Sequence, residues 1–268
     1  MNFIQAVVLG IVQGITEFAP ISSSAHLVLV PNLMGWPKPN ISFDVMLHLG
    51  TLTAVICFFR SEVSELFTAF FSGFKKKTVR QKPEYKLAWL IIIGTIPAVF
   101  MGLLFQDFFE GLFSNPLTVS LLLIVTGTFL WISEAASKRL MVLDDIGFSD
   151  TLIIGLAQGC AIAPGISRSG ATIAAGLFRG LNRSSAARFS FLLAIPIILG
   201  AVILKTGDFI CLCGEQKNMP LLAGFLAAAV SGYLCIKYLL DYLKKGRLMV
   251  FAYYCWFVGL VFVLINIF

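Results

Sequence analysis

QGITEFAPISSSAH, residues 13–26, sets a carboxylate (Glu17), a proline (Pro20), three consecutive serines (Ser22, Ser23, Ser24) and one of the chain's two histidines (His26) among Leu, Ile, Val, Phe, Ala and Gly. An ionised side chain at membrane depth costs ~2.5–3.5 kcal/mol even on insertion scales, so it faces a cavity rather than lipid. The proline ends the helix before it. Serines after it are N-cap residues, which leaves the first N–H groups of a new helix pointing at the break. Such a terminus favours anions. A second stretch, PGISRSGAT at 164–172, repeats the pattern and adds Arg168.

The surroundings say what kind of protein carries these breaks. Of the 268 residues, 58% are hydrophobic and only 13% charged, with a mean hydropathy of +0.91. A soluble domain carries roughly 25% charge. The composition therefore predicts an all-α polytopic membrane protein, a single membrane domain over 1–268, best counted in spans of ~20 residues. The net charge of +6 does not mark a nucleic-acid partner, because the cations sit in short loops between apolar runs, where the positive-inside rule accounts for them. Six cysteines (57, 160, 211, 213, 235, 255) lie mostly in apolar segments and read as small hydrophobes; Cys211-Leu212-Cys213 lacks the further His or Cys of a metal site. The first residues, MNFIQAVV, lack the basic region and cleavage site of a signal peptide, so the N-terminus is expected to be retained.

In chain order, apolar pieces at about 2–18 and 22–35 are each too short to span, and together predict a re-entrant hairpin. A span follows at 43–60, then an amphipathic piece at 61–71. The run FKKKTVRQKPEYK (74–86) is the strongest cytoplasmic marker. Spans at 87–105 and 115–133 flank an outer loop (106–114) that carries Asp107 and Glu110 and no cation. The mixed-charge segment 134–150 falls inside by parity. Residues 151–180, broken at Pro164-Gly165, predict a second hairpin, and Arg179, Arg183 and Arg188 at its exit read as cytoplasmic anchors. Spans at 185–205, 219–240 and 249–268 complete the chain, with an outer loop carrying Asp208 and Glu215. Trp36, Trp89, Trp131 and Trp256 read as interface belts. The total is six transmembrane helices and two re-entrant helical hairpins.

Sliding the sequence by 145 positions aligns the two breaks: Gly10 on Gly155, Gln13 on Gln158, Gly14 on Gly159, Ile21 on Ile166, Ser22 on Ser167 and Ser24 on Ser169. The charge pattern puts the ends of the first hairpin outside and those of the second inside, with an odd number of spans between. An inverted-topology repeat is expected, with halves about 1–135 and 146–268, whose broken helices meet near the midplane around an anionic ligand such as phosphate.

Gln13 and Glu17 share a helix face. Glu17 is read as holding a divalent cation or taking a proton; the sequence leaves both open. Ser23 and His26, spaced i, i+3, present a hydroxyl and an imidazole on one face, the pairing covalent transfer uses. Arg168 matches phosphate oxygens in a bidentate fork, and Thr172 stands one turn later. Asp44 and His48, spaced i, i+4, are either a local hydrogen-bonded pair or part of a metal site.

The run 13–26 resembles an [E/Q]-x-x-x-E box followed by P-x-S-S-x-x-H, and 164–172 resembles P-G-x-S-R-S-x-x-T. With FDVMLHLGTLTAV (43–55) and ARFSFLLAIP (187–196), these are similar to the signatures of the bacterial undecaprenyl-diphosphatase family, the bacitracin-resistance phosphatases. The resemblance implies a multi-pass inner-membrane enzyme that removes the terminal phosphate of undecaprenyl diphosphate and so recycles the lipid carrier of peptidoglycan. It implies support by Mg2+ or Ca2+ and functional roles for Glu17, Ser23, His26, Ser167, Arg168 and Thr172. Gln13 stands where the family also has Glu, leaving one fewer negative charge for a metal. On this reading Glu17, Ser23, His26 and Arg168 are catalytic, Glu17 is the metal ligand, and Gln13, Ser22, Ser24, Ser167, Ser169 and Thr172 bind substrate in a site open to the outer side. The nucleophile, whether Ser23, His26 or water, and the oligomeric state, a homodimer included, stay open. The rival is a polyprenyl-phosphate transporter or flippase using the same cavity, since inverted repeats with broken helices are a transporter build. A membrane scaffold is a third reading, and it has no use for a buried Glu17 and Arg168.

Overall fold

The computed structural model describes the backbone of residues 1–113, 115–138, 140–213 and 218–267, with side chains except those of Glu110, 206–213 and Asn218. Expectations for Glu110, Ser114, Arg139, Glu215 and the side chains of Asp208, Cys211 and Cys213 lie outside the described residues. The helices are α1 (Phe3–Phe18), α2 (Ser23–Met34), α3 (Ile41–Phe58), α4 (Arg60–Lys75), α5 (Pro83–Leu104), α6 (Gln106–Leu112), α7 (Pro116–Ala136), α8 (Phe148–Cys160), α9 (Arg168–Phe178), α10 (Arg183–Cys213), α11 (Asn218–Leu243) and α12 (Met249–Ile267).

Among the described residues, six helices are long and apolar enough to cross a membrane: α3, α5, α7, the Arg183–Lys205 part of α10, α11 and α12. The protein is an all-α multi-pass membrane protein. The four helices around the two breaks are shorter. α1 has 16 residues, α2 12, α8 13 and α9 11; at 1.5 Å per residue none reaches across a ~30 Å hydrocarbon core.

Three expectations shift. The basic run 74–86 is largely helical: α4 continues to Lys75, a 3-10 turn covers Lys77–Gln81 with Arg80 donating to the Gly73 carbonyl, and Pro83 opens α5 at its first turn. Proline's fixed φ and missing N–H suit that position, which moves the helix start ahead of the predicted residue 87. The segment 106–114 contains the short helix α6 rather than only a loop. Helical backbone in α10 runs through Cys213, so Asp208 lies on a helix, not in the predicted loop.

The packing partners exchange as two similar halves would require. α1 packs on α11 as α8 packs on α5, while α3 pairs with α10 and α7 with α12. Glycine makes two of these contacts close. A Cβ on Gly10 would lie 2.5 Å from the Gly224 carbonyl oxygen, and one on Gly155 would lie 2.5 Å from that of Gly94. Gly10 and Gly155 are aligned by the 145-residue offset, so the same small-residue approach is used twice. This pattern is compatible with an inverted repeat.

Candidate active site

The helix caps that follow the two breaks are built the same way. Ala19 is extended (φ −62°, ψ 136°), as a residue before proline must be. Ser22 caps α2: its Oγ accepts from the Ala25 N–H at 3.3 Å and lies 3.1 Å from the Ser24 Oγ. Ser167 caps α9: its Oγ accepts from the Gly170 N–H at 3.0 Å and lies 3.2 Å from the Ser169 Oγ. Every one of these partners is displaced by 145. One difference stands out. Ser22 has φ +70°, whereas Ser167 has an ordinary φ of −70°; a non-glycine residue in the left-handed region costs ~1–3 kcal/mol and persists only where its surroundings hold it.

The tips interlock. Ser169 Oγ donates to the Ala19 carbonyl at 3.2 Å, and the Gly165 N–H donates to Ser24 Oγ at 3.4 Å. Thr126 of α7 braces the second tip, donating from Oγ1 to the Gly165 carbonyl and accepting from the Ser167 N–H. Ser22, Ser167 and Ser169 are buried, and their hydroxyls cap helices and tie the tips.

Glu17 joins the two halves chemically. Its Oε2 accepts from Ser23 Oγ at 2.7 Å and from Gln13 Nε2 at 3.0 Å; its Oε1 pairs with Arg168 Nη2 at 3.3 Å. One carboxylate thus touches the hydroxyl of one tip and the guanidinium of the other. Arg168 also donates from Nη1 to the Ser190 carbonyl at 3.1 Å. Glu17 is 7% exposed and Arg168 14%. A buried charge left without its partner is strongly destabilising, by ~3–5 kcal/mol, so the two hold each other in place. Two buried atoms of this cluster, Gln13 Oε1 and Arg168 Nε, have no hydrogen-bond partner among the described residues. An orphaned acceptor and an orphaned donor flank the same ion pair.

The expected pairing of Ser23 with His26 is not formed. The imidazole turns back to the Ser22 carbonyl (Nδ1, 2.8 Å) and across to the Tyr254 hydroxyl of α12 (Nε2, 2.8 Å). Glu17, six residues before Ser23, takes the hydroxyl because the break folds the two short helices against each other, which helix spacing alone does not show. Thr172 Oγ1 donates to the Arg168 carbonyl at 2.8 Å and lies 2.7 Å from Ser190 Oγ. His48 Nδ1 meets the Asp44 main-chain oxygen at 2.8 Å rather than its carboxylate, whose buried Oδ1 has no partner among the described residues.

The three arginines at the exit of the second hairpin do more than anchor. Arg179 pairs with Asp150 (2.6 Å), Arg188 with Glu62 (2.6 Å), and Arg183 with the buried Glu134, clamping neighbouring helices. Sequence reasoning missed Tyr254, Ser190 and Thr126. The 187–196 match covered Ser190 without singling it out.

Comparison with known proteins identifies the family of the whole chain. Residues 6–261 match the family model described as bacitracin resistance protein BacA. A Halothermothrix orenii protein named undecaprenyl-diphosphatase is 45% identical, covering 99% of this chain and 98% of its own. One of the same name from Methanobrevibacter smithii is 44% identical over 97% and 96%. Undecaprenyl-diphosphatase 4 of Bacillus thuringiensis is 42% identical over 99% and 98%. With the family model covering nearly the whole chain and both signature breaks meeting in one site, the chain belongs to the bacitracin resistance protein BacA family.

Proposed function

We propose that this protein hydrolyses undecaprenyl diphosphate to undecaprenyl phosphate and inorganic phosphate, returning the lipid carrier of envelope glycan synthesis and conferring bacitracin resistance. The observation that carries the reading is the single carboxylate of Glu17 shared by Ser23 and Arg168, with an orphaned N–H of Arg168 beside it. Arg168 holds phosphate oxygens and offsets the charge that develops on them. Glu17 takes the proton of Ser23 as its Oγ bonds to the terminal phosphorus; the anhydride P–O bond breaks and undecaprenyl phosphate leaves with the electron pair. Water then releases phosphate from the serine and the proton returns. Direct attack by water activated at Glu17 is the variant, and Ser23→Ala separates them. Full activity excludes the covalent route, and a trapped phosphoserine at position 23 establishes it.

The donor set suits a hard divalent cation such as Mg2+ or Ca2+. Glu17, with the unpartnered Gln13 Oε1 beside it, would supply oxygen ligands, and water with substrate phosphates would complete the shell, as is usual for Mg2+. Among the described residues no three His, Cys, Asp or Glu gather into a metal site, and the substrate would have to supply ligands to such an ion. Bound there, the ion would neutralise phosphate charge.

The isoprenoid chain has a path. An apolar groove of about 800 Å3 runs along α1, α11 and α12, lined among others by Ile15, Ala19, Leu234, Tyr238 and Phe251. Ala19 belongs to both places: its side lines the groove and its carbonyl accepts from Ser169 at the interlocked tips. We further infer that the halves 1–135 and 146–268 insert oppositely as re-entrant hairpins plus spans, in the plasma membrane, with the site open to the outer side. Ser22, Ser24, Ser167, Ser169 and Thr172 contribute to substrate binding by shaping the tips. A homodimer is the assembly to test, by light scattering on the purified protein.

The decisive assay uses detergent-purified protein, where no two compartments exist for transport. Phosphate release from a polyprenyl diphosphate, abolished by chelator and by Glu17→Ala, supports hydrolysis. Binding without turnover supports the flippase reading instead.

A further inference from the structure

The histidine at the first tip has no counterpart at the second: 145 positions after His26 stands Ala171. The cap serines differ in step, Ser22 at φ +70° and Ser167 at φ −70°. A serine held in the left-handed region needs neighbours that over-determine it. His26 is one such neighbour, beside the Ala25 N–H and Ser24 Oγ that meet the Ser22 hydroxyl. Its Nδ1 lies 2.8 Å from the Ser22 carbonyl oxygen, which the His26 backbone N–H also reaches at 3.3 Å. A carbonyl only accepts, so Nδ1 carries the hydrogen; in the neutral ring Nε2 is then the acceptor for the Tyr254 O–H at 2.8 Å. The Tyr254 ring also stacks on the imidazole, 5.7 Å between centroids and 12° between planes. Both ring nitrogens are engaged, and neither meets Ser23, whose hydroxyl goes to Glu17.

We propose that His26, held by Tyr254, is a positioning residue: it grips the Ser22 carbonyl, fixes the left-handed turn that aims the Ser23 hydroxyl at Glu17, and takes no part in bond making. This deepens the phosphatase reading and rests on it. The test follows from the chemistry of the turn. Glycine occupies φ +70° without strain, so a chain carrying Ser22→Gly does not need the imidazole to hold that turn. Rates of phosphate release are measured for the wild type, His26→Ala, Ser22→Gly and the double variant. His26→Ala alone is expected to lower kcat ~10-fold or more, with KM within about twofold of the wild type. In the Ser22→Gly background the same change should cost less than ~3-fold. Equal losses in the two backgrounds would overturn the proposal, because His26 would then act on the reacting atoms. Ser22→Gly is itself expected to lose rate, because it removes the α2 cap and the contact with Ser24, so each loss is taken relative to its own background. If Ser22→Gly releases no phosphate, the four proteins are compared by thermal midpoint, where equal falls on His26→Ala in the two backgrounds overturn the proposal.

Tyr254→Phe keeps the ring stack and removes only the donor, so it tests the same idea if His26→Ala does not fold. A drop of ~3-fold in kcat is expected in the wild-type background and none beside Ser22→Gly; an unchanged drop contradicts the proposal. Should the wild-type protein release no phosphate, the phosphatase reading fails. The turn is then followed by thermal midpoints of the same four proteins, where the same non-additivity is expected.

Discussion

The two tips of this molecule share a scaffold and differ in what stands on it. Both carry a capping serine, a second serine two residues on, and the same Oγ–Oγ contact. Between those serines the first tip places Ser23 and the second Arg168. The residue aligned with Glu17 is Ile162, so the second tip has no carboxylate. Gln13 and Gln158 are retained in both, each with a buried Oε1 lacking a partner among the described residues; only Gln13 has a carboxylate to bind, while Gln158 donates to the Gly94 carbonyl at 3.5 Å. The repeated part is the part that makes a helix break stable at depth. The unrepeated part divides the chemistry, with a hydroxyl and its base on one side and a cation on the other. A second carboxylate at the second tip would repel a diphosphate, and a second arginine at the first would replace the hydroxyl.

Three experiments break or sharpen this comparison. The largest effect is expected from the unrepeated residues: Arg168→Ala should lower kcat/KM by ~10³-fold in a phosphate-release assay, as loss of a preorganised charge donor does. Arg168→Lys should recover little of it, because a point charge does not reproduce the fork. Next is Glu17→Gln, expected to lower kcat by ~10²-fold through loss of the proton acceptor for Ser23. The smallest effects should come from the repeated parts and should be alike in both halves. Gly10→Ala and Gly155→Ala each force a methyl against a carbonyl oxygen of the facing helix, and each should destabilise by ~1–3 kcal/mol, read as matched falls in thermal midpoint. Unequal falls would mean that the two contacts are not equivalent.

The sequence carried the six spans, both breaks and the residues on them, because charge and proline are costly at membrane depth and so mark their own positions. It did not carry the partners. Tyr254 is 228 positions from His26, and Ser190 is 22 from the Arg168 it receives and 18 from the Thr172 hydroxyl; nothing in local periodicity ties such residues together. The choice of Glu17 over His26 as the partner of Ser23 was hidden for a related reason. Helix spacing predicts neighbours within a helix, and this contact runs across a turn whose shape depends on one left-handed serine. The charged segments were misjudged where they are helical, as in 74–86, since basic residues are good helix formers and a proline at a first turn starts a helix as readily as it ends one.

The central claim is that Ser23 and Arg168, from different halves of the chain, act on one diphosphate. Phosphate release by purified wild type, Ser23→Ala, Arg168→Ala and the double variant tests it most directly. Residues that work as one unit are non-additive, so the double variant should be little worse than the poorer single variant. Losses that multiply in the double variant would contradict the account.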